Sequence, residues 1–167
     1  WKNSKIWIKE KSWGAKLNLD VSGKDVFVST GGFDFDKAKP SIILMHGSGL
    51  THIVWSLHEQ FYASQGYNVL SVDLPGHGNS EGPSLKSIED ISTWVKNLMG
   101  ALDIKKIIIL GHSQGCLVGI DFASRYPDLI DGLVLVSESY KMKVNQELID
   151  LDEDWDDKAI LLMIKWG

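Results

Sequence analysis

Four short, mainly apolar runs, at residues 41–45, 68–72, 107–110 and 133–136, recur along the chain with helix-length segments between them. Strands buried on both faces read as continuous apolar runs, and parallel neighbours need a crossover of a dozen or more residues. The alternation therefore predicts an α/β fold, a mostly parallel sheet with crossover helices. The first 35 residues differ. Stretches 5–9, 15–20 and 25–30 alternate or nearly alternate, with Gly14, Gly23 and Gly31-Gly32 between them. They predict an antiparallel N-terminal edge of short strands.

The intervening segments carry helical signals. Residues 53–65 form one helical stretch, ended by the turn at Gly66. Ile88, Ile91, Val95, Leu98 and Leu102 recur at spacings of three or four, and Ser84 or Ser87 can cap that helix. Ser87 with Asp90 three residues on resembles a capping box. A third helix is predicted over 114–125 and ends at Tyr126-Pro127. From Lys141 the pattern changes to a charged stretch at 150–157, then an apolar side formed by Ile160, Leu161, Ile164 and Trp166. Residues 1–140 thus read as one core, and residues 141–167 as the incomplete start of a separate helical element.

At 167 residues and 44% hydrophobic content, one domain that buries roughly 70% of its unfolded surface is expected. The formal charge of −5 gives no basic face for nucleic acid. No apolar stretch approaches the roughly 20 residues of a membrane span. With Cys116 as the single cysteine no internal disulfide can form, so a reducing, cytoplasmic location is expected. The start Trp1-Lys2-Asn3-Ser4 has no signal-peptide pattern and reads as a processed or trimmed end.

Chemistry concentrates where strand 107–110 meets the third helix. Gly111-His112-Ser113-Gln114-Gly115 is a G-x-S-x-G motif between a strand and a helix, the context of a nucleophile elbow. Serine is a weak nucleophile until a base removes its proton, so such a turn must present Ser113 to an imidazole. The competing structural reading makes Ser113 an N-cap and the glycines relief for crowding. A dinucleotide fingerprint is disfavoured, because the Gly111, Gly115, Gly119 spacing lacks the G-x-G pair.

Two loops accompany the elbow. His46-Gly47-Ser48-Gly49 closes strand 41–45, where backbone N–H groups can supply one donor for an oxyanion. The N–H of Gln114, at the helix start, can supply another. Asp73-Leu74-Pro75-Gly76-His77-Gly78-Asn79-Ser80 ends strand 68–72 and reads as a compact turn, with Asp73 accepting backbone hydrogen bonds. That turn explains His77 without catalysis. His52 and His58 lie about 240° apart around a helix and share no face for a metal.

These three motifs, in this order, resemble those of the α/β-hydrolase family over residues 15–140. The resemblance implies Ser113 as nucleophile and the N–H groups of Ser48 and Gln114 as oxyanion hole. It also implies an inserted cap after strand 133–136, so that residues 141–167 would open that cap. The implied activity is serine hydrolysis of a small ester-like or other acyl substrate, without cofactor. A lyase or perhydrolase using the same serine is a further reading within the family.

The departure lies after the elbow. The family's chain order is nucleophile, acid, then histidine, yet all five histidines precede Ser113. Glu138 is a candidate acid, against its reading as a solvated loop carboxylate. The expectation is an N-terminal portion of a longer or split hydrolase, inactive alone, whose sheet and triad are completed by a missing C-terminal segment or a second chain. The alternative is a catalytically incomplete fragment that acts as a binding protein.

Overall fold

The computed structural model describes residues 16–137. One six-stranded sheet runs through them in the order β1-β2-β4-β3-β5-β6. β1 (Lys16–Val21) and β2 (Lys24–Ser29) form an antiparallel hairpin. Its two-residue turn, Ser22-Gly23, has both φ angles positive, at 59° and 82°, which matches the right-handed twist of the strands it joins. The Asp20 carboxylate accepts the Gly23 N–H at 2.9 Å and fixes that turn. β2 then pairs antiparallel with β4 (Asn68–Val72). This hairpin is the antiparallel edge expected from the alternating stretches, while the stretch 5–9 lies outside the described residues.

The remaining strands are parallel. β3 (Ser41–Met45) lies between β4 and β5 (Ile107–His112), and β5 pairs with β6 (Ile130–Val136). Every residue of β3 and β4 is buried, as continuous apolar runs require. α2 (Ile88–Leu102) and α3 (Gln114–Arg125) cover one face of the sheet over the larger core, which includes Ile43, Leu70, Val95, Leu98 and Phe122. α1 (Ser56–Ser64) covers the other face over a smaller cluster with Ile42, Leu44, Trp55, Val69 and Leu110.

Element boundaries differ from the periodicity at the first helix, at β5, which runs two residues past 107–110 to His112, and at β6. The helix expected over 53–65 divides into a one-turn 3-10 helix, His52–Trp55, and α1. Trp55 is buried there, and the Ser56 hydroxyl donates to the Ile53 carbonyl at 2.6 Å, turning a helical end inward. β6 is longer than its apolar run and begins at Ile130, with a register irregularity opposite Ile107/Ile108. The segment 141–167 and Glu138 lie outside the described residues.

Candidate functional site

The carboxyl ends of β3, β4 and β5 place three loops side by side. At β5 the chain leaves the strand at His112, turns through Ser113 and enters α3 at Gln114. Ser113 has φ 52° and ψ −116°. A non-glycine residue with that backbone is strained, and such strain persists only where the surroundings over-determine it. The surroundings are the flanking glycines. A Cβ on Gly111 would collide with the Gly115 carbonyl, and one on Gly115 would stand 2.5 Å from the Met45 oxygen of β3. Gly119, one turn on, lets α3 approach β5 and β6, where Leu133 and Ile109 occupy the space of any side chain.

Hydrogen bonds fix the turn further. The Ser113 N–H donates to Val136 of β6 at 3.1 Å, and the Ser113 carbonyl accepts from Cys116 N–H at 2.9 Å. The buried Cys116 thiol lies 3.0 Å from the Gly111 oxygen. Ser113 occupies the N-cap position of α3, yet its side chain makes no capping hydrogen bond to the helix. The N-cap reading therefore fails on geometry, while the crowding that the glycines relieve is real.

The loop after β3 lies against the elbow. A Cβ on Gly47 would be 3.1 Å from Ser113 Cβ and 3.1 Å from His112 Nδ1. A side chain at Gly47 would be crowded, and the next amide is that of Ser48, an exposed residue. Gln114 is the first residue of α3, at the positive end of its dipole. The structure thus brings Ser48, Ser113 and Gln114 to one corner of the sheet.

His46, His52 and His77 are engaged elsewhere. His46 is fully buried; its Nδ1 contacts the Gly47 oxygen at 2.8 Å and its Nε2 accepts the Leu74 N–H at 3.1 Å. With Nε2 accepting, the proton sits on Nδ1. Burial pushes the pKa of this imidazole down, against the opposing effect of the Gly47 carbonyl. His77 Nδ1 lies 3.1 Å from the Pro75 oxygen, inside the compact turn. His58 is exposed on α1 with its ring against Trp55. His112 Nδ1 is buried and makes no hydrogen bond among the described residues.

Asp73 organises the third loop. It is fully buried, and it accepts from the N–H of His52 at 2.8 Å and of Asn79 at 2.9 Å. The backbone acceptance expected from the sequence is present. A Cβ on Gly78, whose φ is +52°, would collide with this carboxylate, so glycine is needed there. Burial pushes the Asp73 pKa up, but the N–H donors of His52 and Asn79 and the His52 ring outweigh it and hold the carboxyl below its ordinary range. The Asp73 to His52 ring contact, 2.8 Å from Oδ1 to Nδ1, was invisible in the sequence, since nothing in a 21-residue separation marks it.

Among the described residues no group of three His, Cys, Asp or Glu side chains is placed to hold a metal ion. No helix among them is long and apolar enough to cross a membrane.

A family model for the alpha/beta hydrolase fold matches residues 40–159. An uncharacterized protein of Mycobacterium bovis is 37% identical over 100 residues, which are 59% of this chain and 29% of that protein. A pimeloyl (acyl-carrier protein) methyl ester esterase of a Shewanella species is 40% identical over 101 residues, 60% of this chain and 35% of the esterase. Among solved structures, a CIB-like hydrolase from Thermoplasma acidophilum superimposes with a TM-score of 0.65 at 25% identity, covering 80% of this chain and 63% of that one. Epoxide hydrolase A from Mycobacterium thermoresistibile gives 0.69 at 19% identity, over 85% and 44% of the two chains. The chain spans about a third of the length of these two curated relatives.

Proposed function

The chain belongs to the alpha/beta hydrolase fold family, and from that premise we propose that it carries the nucleophile half of a serine hydrolase site for a small ester-like acyl substrate. Ser113 Oγ attacks the carbonyl carbon while a base takes its proton. The N–H groups of Ser48 and Gln114 bind the oxygen that becomes negative. The tetrahedral adduct expels the alcohol, which regains the proton, and water then releases the acid from the acyl-enzyme. No cofactor takes part.

The observation that carries this reading is the backbone of Ser113, φ 52° and ψ −116°, held between two glycines with no helix-capping role for the hydroxyl. A strained serine at a loop cluster, beside a bare-backbone loop and a helix start, has the parts that acyl transfer needs. The relatives add weight: one is a methyl ester esterase.

The base is assigned to a histidine outside these 167 residues, because His46, His52 and His77 are already engaged by Leu74, Asp73 and Pro75 respectively. Glu138 is retained as a candidate acid. Residues 141–167 are read as the opening of a cap, and the sheet as completed beyond β6 by further polypeptide, either the same chain or a second one. A cytoplasmic setting is part of the same proposal.

A fluorophosphonate probe tests it, since serine attack at phosphorus expels fluoride and leaves a stable Oγ–P bond. In the whole protein, mass spectrometry is expected to find the label on Ser113, and Ser113→Ala to abolish it. The isolated 167-residue chain is expected to label negligibly, for lack of its base. Labelling of the whole protein that Ser113→Ala leaves unchanged would overturn the assignment, and rapid labelling of the isolated chain would overturn its predicted inactivity.

A further inference from the structure

The loop that bears Ser48 contains little to stiffen it. Gly47 and Gly49 lie within it, Gly49 at a φ of +68°, and its one internal backbone hydrogen bond runs from Leu50 N–H to the Gly47 oxygen at 3.2 Å. Oxyanion donors are effective only when held within tenths of an ångström of their target. The rigidity must come from the loop's ends.

Both ends are fastened to the same neighbour, the segment that leaves β4. At the near end the His46 ring accepts the Leu74 N–H. At the far end His52 approaches one oxygen of Asp73 twice, through its backbone N–H and through ring Nδ1, each at 2.8 Å. That carboxylate is itself immobile. Its other oxygen takes the Asn79 N–H at 2.9 Å, Gly78 backs it closely, and it has no exposed surface. The His52 ring is 18% exposed and packs on Phe27 with centroids 4.7 Å apart, so its orientation is fixed on the second side as well.

We propose that His52 is a positioning residue: its ring N–H, donated to Asp73, holds the loop 47–51 in the shape that aims the Ser48 amide at the reacting oxygen. This rests on Ser48 being an oxyanion donor as proposed above. Burial around the carboxylate makes the bond worth more than a surface pair, since a charged hydrogen bond removed there leaves an under-satisfied anion. No proton leaves or reaches the substrate through His52. Its contribution to the reaction is the shape of the loop.

Two variants separate the ring's N–H from its bulk. His52→Phe keeps an aromatic ring against Phe27 and loses the donor; His52→Asn keeps an N–H near the place of Nδ1. Amide hydrogen exchange of the 167-residue chain reads the loop without any activity. In His52→Phe the Leu50 amide is expected to exchange about tenfold to a hundredfold faster, with Val95 and Leu98 of α2 unchanged, and His52→Asn to stay within about twofold of the parent. Leu50 exchange unchanged in His52→Phe would overturn the clamp. If His52→Phe does not fold, His52→Ala is read in the same way.

In the whole protein, with p-nitrophenyl acetate as probe, kcat is expected to fall about tenfold or more in His52→Phe while KM moves less than about twofold, and His52→Asn to restore kcat. A loosened loop with unchanged kcat would overturn the positioning role. Failure of the Ser113 reading is distinct, because it is seen in Ser113→Ala, whereas the exchange experiment decides the clamp either way.

Discussion

The imidazole of His46 shows how burial turns a titratable side chain into a fixed structural part. It is fully buried, its Nε2 is the acceptor for Leu74 N–H, and burial is the main cause of its lowered pKa. The unfolded chain therefore binds a proton near pH 6.5 that the folded chain resists. Stability attached to His46 is fully present above that pH and declines as pH falls below it toward the lowered folded value. The urea midpoint is expected to drop between pH 7 and pH 5, and His46→Gln, which offers a non-titrating acceptor to Leu74, to flatten that drop. An equally steep decline in the variant would show that His46 is not its source. Asp73 acts in the same direction only below the ordinary carboxylate range, because its folded pKa is also lowered. At this scale the strand-turn-helix geometry at Ser113 was legible because it is local: five consecutive residues specify the turn. The partnership of His52 with Asp73 was not, since it depends on two loops meeting across a sheet.

Elements were legible where one stretch of chain carries both period and punctuation. α2 has its apolar residues on one face, and Ser87 accepts the Asp90 N–H at 3.0 Å, as the capping pattern implied. Ser84, the other candidate cap, is instead packed against Gly76. Ser87→Ala is expected to cost about 1 kcal/mol in chemical denaturation and Ser87→Gly only a few tenths. Equal losses in the two variants would mean that the cap hydrogen bond is not what the alanine removes. The helix over 53–65 was read with the wrong boundary for a tertiary reason. Its first turn tightens into a 3-10 helix as the His52 N–H is drawn to Asp73 and Trp55 is drawn into the core, forces that no helical period records. β6 gained residues at its start because pairing with β5 continues past the apolar run.

At the scale of the molecule the two sheet faces are unequally covered. Among the described residues α2 and α3 bury one face, whereas on the other α1 reaches β3 and β4 and leaves the end of the sheet open. Val134 is 43% exposed and Val136 38%, both opposite β5 residues that face the α1 side, and β6 has a strand neighbour on one side only among the described residues. Parallel sheets are stable when both faces are buried, and an apolar edge invites pairing. The 167-residue chain is accordingly expected to associate with rising concentration in sedimentation velocity, and Val134→Lys to shift it toward monomer while retaining its helical signal. A parent chain that stays monomeric into the range of about 100 μM would contradict this use of the edge. The α/β class, the antiparallel hairpin, the capped start of α2 and the turn at Ser113 were written in the chain, because each depends on residues close together, where period, turn chemistry and glycine spacing act directly. The strand order, the strained backbone of Ser113, the lowered pKa values of His46 and Asp73 and the contact of His52 with Asp73 came only with the folded structure. Those depend on which loops the sheet brings together and how far each group is taken from water, and a linear chain does not encode either quantity locally.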